Sequence, residues 1–138
     1  MPWLIVAAVS GLLAVALGAY GWHSLAADDA LRAIFLMGVQ YQMWHALALI
    51  AVAWLASRGA GAQSGGTPAA GTAARGPRLV HLSGLAFVLG TVLFSGSLYA
   101  MGVTGTVPVS GAAPLGDGFL MGGWALLGLA AWQARPAA

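Results

Sequence analysis

The sequence predicts an all-α protein: an integral membrane bundle of four transmembrane helices with both termini cytoplasmic. Three observations lead there. Of 138 residues, 60% are hydrophobic and only 6% charged, against about a quarter charged in ordinary soluble chains. The mean hydropathy is +0.87. Cutting the chain at its charges and its Gly/Pro clusters leaves four apolar stretches, each close to the roughly 20 residues that cross a bilayer. The length suits one transmembrane domain over residues 1–138 and leaves no room for a second of ordinary size.

The first helix is expected over about residues 3–22. Its position invites comparison with a secretory signal, but it lacks a basic leading segment and exceeds the roughly 7–15 apolar residues of a signal core, so a retained helix is expected. The second is expected over about 31–56, opened by Asp28 and Asp29. Near its centre stand Gln40, Tyr41, Gln42, Trp44 and His45, polar groups that hydrocarbon leaves without partners. Residues 57–78 are rich in Gly, Ala, Ser, Thr and Pro and read as a flexible solvated linker. The third helix is expected over about 79–101 and the fourth over 117–134, where Asp117 suits an N-terminal cap or a salt bridge to Arg32.

Charge gives the orientation. Arg58, Arg75 and Arg78 lie in the linker and Arg135 follows the fourth helix, while Arg32 is offset by Asp28 and Asp29 and residues 102–116 carry no basic group. The positive-inside rule then puts the linker and both termini in the cytoplasm. Trp3, Trp22, Trp54, Trp124 and Trp132 are read as anchors at the membrane interfaces.

Packing is read from small residues. Ala7, Gly11, Ala14, Gly18 and Gly21 share one stripe of the first helix, Gly118 and Gly122 form a GxxxG in the fourth, and Ser83, Gly90 and Ser97 repeat at seven in the third. Such faces let backbones approach closely, inside the bundle or across a homodimer seam. The helical period also puts Gly38, Gln42, His45 and Leu49 on one face of the second helix, with Tyr41 beside His45. That face should turn inward, toward hydroxyls such as Thr91, Ser95, Ser97 and Tyr99. Tyr41, Gln42, His45, Ser95, Ser97 and Tyr99 are therefore the candidate site: either a hydrogen-bonded cluster that fixes register, or a ligand, partner or proton site.

Several chemistries find no support. Scattered charge gives no nucleic-acid surface, and the chain has no cysteine for disulfides, thiolate metal sites or a thiol nucleophile. His45 lies roughly 18 Å from the linker end of its helix, His81 about 3–5 Å from its own, and His23 at the far surface, so no two imidazoles of one chain share a level for haem or metal, and a haem would need His45 from each of two copies. No cofactor and no metal is expected. A hydrolytic triad has a serine and His45 but no buried acid, so no catalytic residue is assigned.

Three strings carry a family likeness: Gly11 to His23 (GLLAVALGAYGWH), Tyr41 to Leu49 (YQMWHALAL) and Leu93 to Tyr99 (LFSGSLY). In these the chain resembles the YgdD-like membrane proteins, domain-of-unknown-function family 423, whose eukaryotic relatives are small mitochondrial transmembrane proteins. Ala113 to Gly116 is similar to the family's approach to its last helix, with Ala113 and Asp117 departing from it. The resemblance implies a four-helix protein of the bacterial inner membrane and supplies no catalytic residue. Together these readings give the expected role: a small non-enzymatic membrane protein that is an accessory subunit or partner of a larger membrane complex, or a binder of a lipid-soluble molecule. The alternative is a small transporter or proton-linked permease using His45. Its expected partners are membrane lipid and either a larger complex or further copies of itself, with no nucleic acid.

Overall fold

The computed structural model describes residues 2–25, 28–62, 75–107 and 109–134. They form four helices, α1 (Pro2–Ser24), α2 (Asp29–Ala62), α3 (Arg75–Thr104) and α4 (Ala112–Gln133). All four contain stretches long and apolar enough to cross a membrane. Consecutive helices are the main packing neighbours, and they run antiparallel: Gly21 meets Phe35 and Leu36, Gly102 meets Phe35, and Gly90 meets Leu120 and Gly116.

The burial pattern is that of a protein solvated by lipid. Leu12 is 71% and Ile5 66% exposed, whereas Gln42 is 7% and His45 5% exposed. Apolar groups face outward at no cost when the solvent is hydrocarbon, and polar groups must find partners inside.

Each helix begins and ends for local reasons, and these shift the expected boundaries. Asp28 caps α2, its Oδ1 accepting the N–H groups of Ala30 at 2.9 Å and Leu31 at 3.0 Å. Helix α2 continues past Trp54 to Ala62, and α3 starts at Arg75. Residues 57–62 and 75–78, expected in the linker, are thus helical, because a helical backbone needs no apolar side chain to extend beyond the bilayer. The remaining linker positions, 63–74, lie outside the described residues. Gly105, at φ 70, stops α3 in the left-handed conformation natural to a glycine C-terminal to a helix. The fourth helix starts five residues earlier than expected, after Gly111 at φ 86. Pro114 is accommodated in its first turn, where an N–H has no intrahelical partner. Asp117 therefore lies in the second turn and is no cap, and Arg32 bonds Asp29 instead.

Buried positions recur by three and four or by seven on each helix: Ala7, Ala14 and Gly21 on α1, Phe35, Gly38, Gln42, His45, Leu49 and Val52 on α2, Val80, Ser83, Phe87, Gly90 and Ser97 on α3, Gly116, Leu120, Gly123, Leu127 and Ala130 on α4. That spacing is the knobs-into-holes seam of a helix bundle. Two fully buried phenylalanines are the largest knobs. Phe87 seats on Gly123, where an added Cβ would come within 2.7 Å of its ring, and Phe35 seats likewise on Gly21. Between α3 and α4 the backbones touch, since a Cβ on Gly116 would lie 2.5 Å from the amide nitrogen of Phe94.

The glycine expectation is thereby corrected in part. Gly21 is a packing glycine, whereas a Cβ added at Gly18 would make an ordinary contact with Val39, at 3.4 Å. A Cβ added at Gly11, Gly118 or Gly122 would meet nothing within 4 Å. In α4 the inward stripe is set by Gly116 and Gly123, and a GxxxG displaced by one to two residues from that stripe is rotated onto the outer surface.

Candidate functional site

The inward face of α2 organises the polar interior. Gln42 donates from Nε2 to the Ser10 carbonyl of α1 at 2.9 Å, and its Oε1 accepts the Tyr99 hydroxyl of α3 at 2.7 Å. One amide thus ties three helices. The assignment of its two ends is fixed chemically, because a carbonyl only accepts and must meet the NH2 group.

His45, one turn further, reaches the fourth helix. Its Nδ1 bonds the Tyr41 carbonyl at 2.7 Å, and its Nε2 accepts the Trp124 indole N–H at 3.2 Å. A carbonyl cannot donate and an indole N–H cannot accept, so the two partners together specify a neutral imidazole with its proton on Nδ1. The ring packs against Phe87, centroids 5.4 Å apart, and Tyr41 packs on Phe94 at 4.5 Å. Further bonds join the remaining neighbours: Ser83 Oγ donates to the Gly123 carbonyl at 2.9 Å, and Trp3 Nε1 donates to His81 Nδ1 at 2.8 Å.

Of the six residues expected to gather, Tyr41, Gln42, His45 and Tyr99 do so. Ser97 does not join them, since its hydroxyl donates to the Phe94 carbonyl of its own helix at 2.8 Å. Ser95 is buried with no hydrogen-bond partner for Oγ among the described residues. Two partners went unread in the sequence. Ser10 acts through its main-chain carbonyl, which no side-chain pattern signals. Trp124, expected as an interfacial anchor, sits in the middle of α4. Starting that helix at Ala112 instead of Asp117 is the step that brings it level with the imidazole.

Gln40 behaves differently from its neighbours in sequence. It is exposed on the outer face of α2, and no hydrogen bond holds its amide among the described residues. Between α1 and α2 an apolar groove of about 310 Å³ opens outward over Ala7, Ala8, Gly11, Met43, Ala46 and Leu47. Among the described residues no three His, Cys, Asp or Glu side chains cluster as metal ligands.

Chemically, then, the interior couples the four helices, with both polar ends of Gln42 and both nitrogens of His45 engaged. The comparisons with known proteins carry the same membrane theme. Residues 17–117 match the family described as "Protein of unknown function (DUF423)". The chain is 36% identical to the UPF0382 membrane protein YwdK of Bacillus subtilis over 93% of its own length and 94% of that protein's. It is 33% identical to the UPF0382 inner membrane protein YgdD of Escherichia coli K12, covering 90% and 84% of the two chains. A UPF0382 membrane protein of Haemophilus influenzae is 29% identical over 96% and 95%. No solved structure matches. The family match and these likenesses over most of each chain show that the protein, with its four membrane-spanning helices, belongs to the DUF423 (UPF0382) family of membrane proteins.

Proposed function

We propose that this protein is a non-enzymatic accessory subunit that docks within the membrane onto a larger complex, its buried polar residues locking the bundle and leaving the outer faces to make contacts. The observation that carries this reading is that both ends of Gln42 and both nitrogens of His45 are engaged inside the bundle, tying α2 to α1, α3 and α4. Groups engaged in this way tie helices together, the role of a scaffold. Outside, Gly118 and Gly122 leave room for a foreign helix to approach closely.

The experiment is purification in mild detergent from cells expressing the chain at native level. A particle much larger than the protein's own oligomer, reduced in size by Gly118→Leu with Gly122→Leu, supports docking. A uniform small particle containing no other protein overturns it.

A second reading is favoured by the groove between α1 and α2, whose volume and apolar lining suit a lipid-soluble guest. Solvent extraction of purified material tests it: the guest should appear in the extract and be reduced by Gly11→Leu. The transporter alternative needs His45 to exchange a proton with water, and the two bonds on its ring weigh against that. Proton flux into liposomes abolished by His45→Ala would restore it.

A further inference from the structure

Along the outer face of α2 runs a second seam. Met37, Gln40, Trp44, Leu47 and Trp54 are all exposed, and Met37 through Leu47 follow one another by three, four and three residues. Leu47 is 57% and Trp44 53% exposed. The stripe is apolar and lipid-facing except at Gln40, which lies inside the span Asp29–Arg58. An amide in hydrocarbon has two N–H donors and an acceptor oxygen without partners. Acyl chains supply neither donor nor acceptor.

We propose that α2 pairs with α2 of a second copy of this chain, the two Gln40 amides hydrogen-bonding to each other across a two-fold axis. The occupant follows from the chemistry of the group. Two copies inserted in the same orientation are related by an axis along the membrane normal, which sets seam residues of parallel helices against their own counterparts, and a primary amide, being both donor and acceptor, is complementary to itself. No other residue of the chain has to be recruited. Flanking positions at three and four residues are those of a helix–helix seam, in which a single buried amide fixes register. This does not depend on the accessory-subunit reading, because pure protein suffices to test it.

The chain has no cysteine, so single cysteines report without background. Met37→Cys and Trp44→Cys, reconstituted separately in phosphatidylcholine vesicles and mildly oxidised, should each yield a disulfide-linked dimer. Val92→Cys, exposed on α3, should remain monomeric. Adding Gln40→Leu to Met37→Cys should lower the dimer yield roughly tenfold, and Gln40→Asn should retain most of it. Gln40→Leu removes a surface group that holds nothing within its own chain, so its helicity should match that of the parent, as should its thermal unfolding in excess detergent, where both are monomeric. The proposal is overturned by monomers at both seam positions, by equal linkage at Val92→Cys, or by linkage indifferent to Gln40→Leu.

Discussion

Trp124 and His45 meet in the middle of the bundle, the indole N–H donating to Nε2 at 3.2 Å with the two rings crossed at 60°. The tryptophan is itself 51% exposed. It therefore closes the polar interior from the lipid side, one edge bonded inward and one face against acyl chains, as suits an amphipathic ring.

Trp124→Phe keeps most of that ring and deletes the donor. The expected loss is about 0.6 kcal/mol and at most about 1.7, the range for interhelical bonds in membranes. His45→Ala should cost more, about 2 kcal/mol, because Trp124 is orphaned and a void opens beside Phe87. Unfolding of the single and double variants in detergent checks this as a thermodynamic cycle. Strict additivity would show that the two rings do not interact.

For Gln42 the asymmetry of buried hydrogen bonds sets the outcome. Gln42→Leu strands the Tyr99 hydroxyl, and Tyr99→Phe strands the Gln42 oxygen, each at about 1–3 kcal/mol. The double variant Gln42→Leu with Tyr99→Phe should be more stable than Gln42→Leu alone, since no polar group then remains unpaired. Thermal unfolding of the three proteins decides it, and a double variant weaker than Gln42→Leu would contradict the bond.

The glycines should separate sharply. Gly116→Ala drives a methyl into the Phe94 backbone and should destabilise by about 1–3 kcal/mol. Gly118→Ala and Gly122→Ala meet open space and should be neutral, or stabilising by up to about 1 kcal/mol. Comparable loss at all three positions in monomeric detergent-solubilised protein would mean that α4 is rotated from the orientation described.

Orientation is open to direct test. Reporters active only in the cytoplasm, inserted between residues 62 and 75 and fused after Ala138, should both give signal if the arginines direct insertion. Replacing Arg58, Arg75 and Arg78 by Gln should weaken that signal in favour of a periplasmic reporter. Activity of the periplasmic reporter in the unaltered chain would invert the assignment.

Much of the site was legible because a single helix displays it. Composition makes α2 a span, and the 3.6-residue period collects Gly38, Gln42, His45 and Leu49 on one face, all of them buried. Asp28 could be read at the start of α2 because a cap is local. The start of α4 misled, since Asp117 offered a plausible cap while Gly111 provided the actual turn. That five-residue difference concealed the position of Trp124.

The sequence by itself determined that this chain lives in lipid, how many times it crosses, and that Gln42 and His45 must turn away from hydrocarbon. Those outcomes depend on transfer free energy and helical period, which each segment carries alone. Only the tertiary structure decided that Ser10, Tyr99 and Trp124 answer them, and that Gly116 and Gly123, rather than Gly118 and Gly122, receive α3. In lipid an all-apolar helix has no preferred inward side, so its rotation and axial offset are set by how knobs and glycine hollows fit against neighbouring helices.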